Sequence, residues 1–192
     1  MRKLEVRKGE HRADQPLFFS GFKISKRIKL TYRFRFSTSM WDDPELLGTD
    51  MHDINKLFGT SLSVLPYFLN RKPFFKPPHQ RRSARFGYRC TDEENVFELL
   101  AYCYDKKQRM KHVKIGTWKA GEMIELRLET FNNKVLFTFV NISTQVCESY
   151  MERLSNSWFN VIPRLHYFLS YYHGGNKPKP SDGTFYSERV SS

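Results

Sequence analysis

The residues best suited to chemistry lie on two neighbouring segments. Ser83-Ala84-Arg85-Phe86-Gly87-Tyr88-Arg89-Cys90 alternates between two residue classes, and Val96-Phe97-Glu98-Leu99-Leu100-Ala101-Tyr102-Cys103-Tyr104 does the same over most of its length. A period of two marks a half-buried strand, whose successive side chains point to opposite faces. Ala84, Phe86, Tyr88 and Cys90 then face inward with Phe97, Leu99, Ala101 and Cys103. The opposite face shows Ser83, Arg85, Gly87 and Arg89 beside Glu98, Leu100, Tyr102 and Tyr104. If the segments pair as a hairpin, a row of guanidinium and hydroxyl donors lies beside a row of phenols, and Gly87 leaves room for a close approach to the backbone. Such a surface suits a sugar chain bearing carboxylates, because arginine gives charge-assisted hydrogen bonds and flat rings cover the pyranose. The structural alternatives are an Arg85–Glu98 pair across the hairpin and tyrosines that simply fill a sheet face under a loop.

The elements that must position these residues read as strands. Lys29–Ser37 alternates, with Tyr32, Phe34 and Phe36 on one face and Thr31, Arg33 and Arg35 on the other. From residue 83 onward strand follows strand: 83–90, 96–104, 111–118, 123–130 and 134–142, with Asn132-Asn133 as a hairpin turn, then a Tyr- and Phe-rich central strand in 161–172 and a last strand near 183–189. Residues 42–59 carry turn and cap signals and one short helix, and Pro66 to Pro78 reads as an ordered, proline-rich loop. Residues 1–16 are charged and aperiodic, which predicts a flexible N-terminal arm; 17–192 then form a single β-sandwich domain. Short strands at this spacing, with no helical interludes, predict an all-β sandwich rather than a parallel α/β fold.

Composition narrows the function classes. A chain of 192 residues with 17 Phe and 10 Tyr can bury a substantial core. The net charge of +12 implies attraction to polyanions: nucleic acid, anionic lipid surfaces or acidic polysaccharide. Arg71-Lys72, Lys76 and Arg81-Arg82 around Phe74-Phe75 would suit nucleic acid by charge and stacking, but no recognised nucleic-acid module accompanies them. Three cysteines without C-x-x-C spacing and six histidines without ligand spacing predict reduced core thiols, no metal and no cofactor. No run of about 18 apolar residues predicts a membrane span. The first eight residues are charged where a signal peptide needs an apolar stretch, so the expectation is a cytoplasmic or virion-associated chain, or one without its leader.

Several of these segments resemble a known family. Ser83-Ala84-Arg85-Phe86-Gly87-Tyr88-Arg89 looks like the S-A-R-x-x-W-R strand of jelly-roll polysaccharide lyases of the alginate- and glucuronan-lyase type, and Tyr102-Cys103-Tyr104 looks like the Y-x-Y strand that follows it. Lys56-Leu57-Phe58-Gly59 is similar to their K-L-P-G segment, with Phe58 in place of proline. Tyr172-His173-Gly174-Gly175, followed by Pro180-Ser181-Asp182, is similar to their F-F-G-G stretch and later P-x-D. The resemblance implies a concanavalin-like jelly roll with a concave groove, in which a uronic acid chain is cut by β-elimination. It assigns catalysis to Lys56, Arg85, Tyr102 and Tyr104: Arg85 or Lys56 neutralises the carboxylate, and a tyrosine whose pKa is lowered by a nearby cation moves the protons. Ser83, Arg89, Glu98 and His173 are assigned to substrate binding, His173 standing alternatively as a turn histidine beside glycines that serve backbone geometry. The expected partner is an anionic polysaccharide. The competing readings are a non-catalytic structural or binding module on the same sandwich, in a virion or at a cell surface, and a nucleic-acid binder.

Overall fold

The computed structural model describes residues 1–14, 22–43, 53–63, 83–104, 110–131, 134–153, 164–174 and 179–190. Within them the alternating segments become strands, because each has an apolar face to bury and another sheet to bury it against. Sheet I runs β1 (Arg2–Val6), β12 (Gly183–Arg189), β3 (Ile28–Phe36), β8 (Met123–Phe131), β9 (Lys134–Asn141) and β10 (Val146–Arg153). Sheet II runs β2 (Phe22–Ser25), β11 (Arg164–Leu169), β4 (Asn55–Ser63), β5 (Ser83–Cys90), β6 (Val96–Tyr104) and β7 (Met110–Lys119). Every neighbouring pair is antiparallel. The fold is the jelly-roll sandwich that the strand pattern predicts.

Aromatic residues fill the space between the sheets. Phe36 from sheet I meets Tyr88, Phe97 and Trp118 edge-on, at centroid distances of 4.9, 5.2 and 5.4 Å. Each such contact adds about 0.5–1.5 kcal/mol beyond the area it buries. Cys90 and Cys103 are buried free thiols of this core, as the alternation requires, and Cys147 is exposed. At one end of the sandwich Lys179 and Asp42 form an ion pair whose side chains are 0% and 2% exposed. The Asp42 N–H also points at the Cys90 sulfur, 3.3 Å away, and the Tyr88 and Tyr171 hydroxyls meet at 3.1 Å.

Several expectations are corrected. Residues 2–6, read as part of an arm, form β1: Leu4 and Val6 are wholly buried, and Leu4 pairs with Phe185. The segment after it lies against the chain's last quarter, with the Gly9 N–H on the Lys179 carbonyl (2.9 Å) and the His173 N–H on the His11 carbonyl (2.7 Å). Charged residues hid this strand, because two buried positions are a short signal. The helical element found among the described residues is one 3-10 turn, Thr38–Met40, while 55–59 belongs to β4; residues 44–52 lie outside the described residues. The strand expected in 161–172 begins at Arg164 and lies next to edge strand β2 rather than at the centre. The proline-rich loop and the Asn132-Asn133 turn also lie outside the described residues, although β8 and β9 pair as that turn requires. No helix of the described residues is long and apolar enough to cross a membrane.

Candidate functional site

Strand register brings the predicted residues onto the outer face of sheet II. Arg85 stands opposite Tyr102, and Arg89 opposite Glu98. On the far side of β5, Gly59 stands opposite Arg85 and Lys56 opposite Gly87. One row across the sheet therefore reads Gly59, Arg85, Tyr102, His112, and the next reads Lys56, Gly87, Leu100, Lys114. Lys56 and Arg85 thus stand in adjacent rows, with the register shift of β4 falling between Lys56 and Gly59.

Glycine makes the close approach possible. A Cβ on Gly59 would stand 2.1 Å from the Ala84 carbonyl oxygen and 2.7 Å from Arg85 Cγ, so the arginine stem lies over the bare backbone. Gly87 was expected to leave room for a close approach to the backbone, and Ile54 takes it: a Cβ there would be 2.4 Å from Ile54 Cγ2. Ile54, Leu100 and Tyr102 form a small buried apolar cluster on this outer face, with Tyr104 against it.

Arg85 is 6% exposed. One terminal nitrogen donates to the Ser170 carbonyl, and its Nε has no partner. Burial brings even this guanidinium down to about 10. Lys56 is held by its backbone, which exchanges two 2.8 Å hydrogen bonds with Tyr172. Its Nζ lies 5.4 Å from the centroid of the Tyr102 ring. Burial first, then the charge of Arg85, brings Lys56 down to about 8, with Asp53 opposing. Two cations thus share a desolvated site, which is expensive unless an anion joins them.

The tyrosines behave differently from the expectation. The Tyr102 hydroxyl donates to the Tyr104 oxygen at 3.1 Å. Burial and that bond raise the Tyr102 pKa well above the usual phenol range, and Arg85 only partly opposes them. That shift favours the protonated phenol, which suits a proton donor better than a base.

Of the residues assigned to substrate binding, Ser83 is fully buried on β5 opposite Ser61 of β4. Glu98 is 7% exposed and lies between Arg89 and Lys114 (3.3 Å to the latter), so these three form an ion-paired ladder centred four residues along β5 and β6 from the Arg85–Tyr102 pair. The Arg85–Glu98 alternative is thereby set aside: Glu98 takes Arg89 as its cross-strand partner. His173 is 4% exposed, and its Nδ1 has no partner. Burial, Lys179, His11 and Lys56 together pull it down to about 3, so it is neutral. Its neighbour Tyr172 stacks on His11 at 5.3 Å.

Two contributors were missed in the sequence. His112 is exposed on β7 directly opposite Tyr102, and pairing 96–104 with 111–118 in register would have found it. Asn55 accepts a hydrogen bond from the Gly174 N–H at 2.7 Å and fixes the turn beside Lys56; nothing local in the sequence signals that bond. Among the described residues, no group of three or more His, Cys, Asp or Glu is gathered to hold a metal ion.

No protein-family model matches the chain, and no curated protein matches its sequence. Solved structures do match its shape. An alginate lyase from Klebsiella pneumoniae superposes with a TM-score of 0.57 at 10% identity, over 85% of this chain and 59% of that one. The two share the jelly-roll fold. This chain thus spans about three-fifths of that enzyme's length. A Saccharomyces cerevisiae protein described as functionally unknown matches at a TM-score of 0.50 and 10% identity, over 99% of this chain and 87% of that one. At such identities the likeness is one of fold.

Proposed function

We propose that the outer face of sheet II binds a uronate polysaccharide and cleaves it by β-elimination. One observation carries the reading: Arg85 and Lys56 share a desolvated site, and the Arg85 Nε is left without a partner. A sugar carboxylate supplies the missing charge and acceptor, and pairing it with Arg85 acidifies the adjacent C5 proton. Lys56, near 8, has a substantial neutral fraction at mildly alkaline pH and is the base for that proton. Tyr104 accepts from Tyr102 and so keeps its own hydroxyl proton to donate. The C5–H pair forms the C4=C5 bond, the C4–O bond breaks, and the leaving oxygen takes the Tyr104 proton. The alginate lyase fold match supports the scaffold, not the chemistry.

The experiment offers alginate, glucuronan and other polyuronates to the protein and follows the ultraviolet absorbance of the conjugated product. A rise abolished by Arg85→Ala and reduced by Tyr104→Phe is expected. No rise with any polyuronate, while retarded migration in a polysaccharide-containing gel persists, leaves a binding module. That second reading has its own observation: Ile54, Leu100 and Tyr102 close part of the face to solvent.

A further inference from the structure

Lys56 is placed as a nucleophile is placed. Its backbone is pinned to Tyr172 by the paired 2.8 Å hydrogen bonds. Its amine lies in a slot between the Tyr102 ring, 5.4 Å to the centroid, and Gly174, where a Cβ would be 3.0 Å from Nζ. A Cβ at residue 174 would first strike the Ile54 carbonyl oxygen, 2.1 Å away, and would also crowd that slot. The neighbouring cation Arg85 stands in the adjacent row, close enough for its charge to act on Lys56, and its buried Nε has no hydrogen-bond partner. Of two like charges brought together in a desolvated site, one is released, and only the ammonium can readily lose a proton. A lysine beside a second cation in an apolar slot is an activated amine. A ligand that suits both groups carries a carboxylate for the guanidinium and a carbonyl carbon for the amine.

We propose that Lys56 condenses with small aldehydo or keto acids, whose carboxylate Arg85 holds. The nitrogen lone pair forms the C–N bond while the carbonyl π pair moves to oxygen. That oxygen leaves as water with both amine protons, and a C=N bond remains. No oxidant or reductant is needed. The reaction shares the carboxylate role of Arg85 with the preceding reading but needs no polysaccharide, so the two fail separately.

The test treats the protein at neutral pH with glyoxylate and cyanoborohydride, whose hydride reduces the C=N bond to a stable carboxymethyl-lysine, and maps the label by peptide mass spectrometry. Propanal serves as the uncharged probe. Lys56 should take glyoxylate about tenfold faster than the exposed Lys29 and Lys134, because burial beside Arg85 favours its neutral, nucleophilic form. At Lys56 glyoxylate should be preferred over propanal, and Arg85→Gln should erase the preference. Equal labelling of Lys56, Lys29 and Lys134 overturns the proposal, as does an equal response to the two probes at Lys56. The comparison of probes uses the unmutated chain, so it stands even if Arg85→Gln does not fold.

Discussion

Lys56 and His173 are bases whose charged forms the fold penalises, and each makes stability depend on pH in the same direction. Lys56 falls from 10.5 in the unfolded chain to about 8 when folded. Between those values the unfolded chain binds more protons, so stability rises with pH there, and below 8 the whole penalty is present. Urea midpoints measured across this range should show the rise in the wild type and a smaller one in Lys56→Met. His173 falls from 6.5 to about 3, so acidification through that window should cost at most about 1.4 kcal/mol per pH unit. His173→Asn should be flatter there; an unchanged slope would mean that other groups carry the acid response. The residue-level reading of the sequence was good where alternation was clean. Arg85, Tyr102 and Tyr104 share a face because they are spaced by two on paired strands. The protonation behaviour of Tyr102 was not legible, because it depends on burial under Ile54, which no local pattern reveals.

At the scale of elements, β4 explains both what was missed and why the site exists. Leu57 and Phe58 are consecutive and both fully buried, which no regular strand permits on one face. The register shift between Lys56 and Gly59 resolves this, and bulges of this kind re-aim side chains. A search for strict alternation passes over such a strand. β10 was overlooked for the opposite reason: its residues are mostly exposed, so it has little hydrophobic pattern. Gly59→Ala should be severe, since the new methyl would overlap backbone of β5; a loss of about 3 kcal/mol or more is expected by chemical denaturation, together with loss of polysaccharide retardation. A near-neutral outcome would show that β4 and β5 can separate locally. By comparison β5 and β6 match the sequence reading closely, because Ala84, Phe86, Tyr88 and Cys90 on one and Phe97, Leu99, Ala101 and Cys103 on the other alternate without a break.

For the whole molecule, the Asp42–Lys179 pair ties residues far apart in the chain through a site without solvent. Removing one partner strands the other charge, so Asp42→Ala should cost about 3–5 kcal/mol, while a double apolar replacement should recover most of it. Thermal unfolding of the single and double variants decides this. The strand order carries a different consequence. β12 lies between β1 and β3, and β11 lies between β2 and β4. Both gaps are bordered by segments made early in synthesis and filled by segments made late. As the chain leaves the ribosome, β3 and β4 each wait with an open hydrogen-bonding edge until residues beyond 164 emerge. Neither layer can close in the order in which it is translated. Refolding should accordingly be slow for the chain's size, and a nascent chain stalled before residue 164 should remain protease-sensitive and a client for strand-binding chaperones.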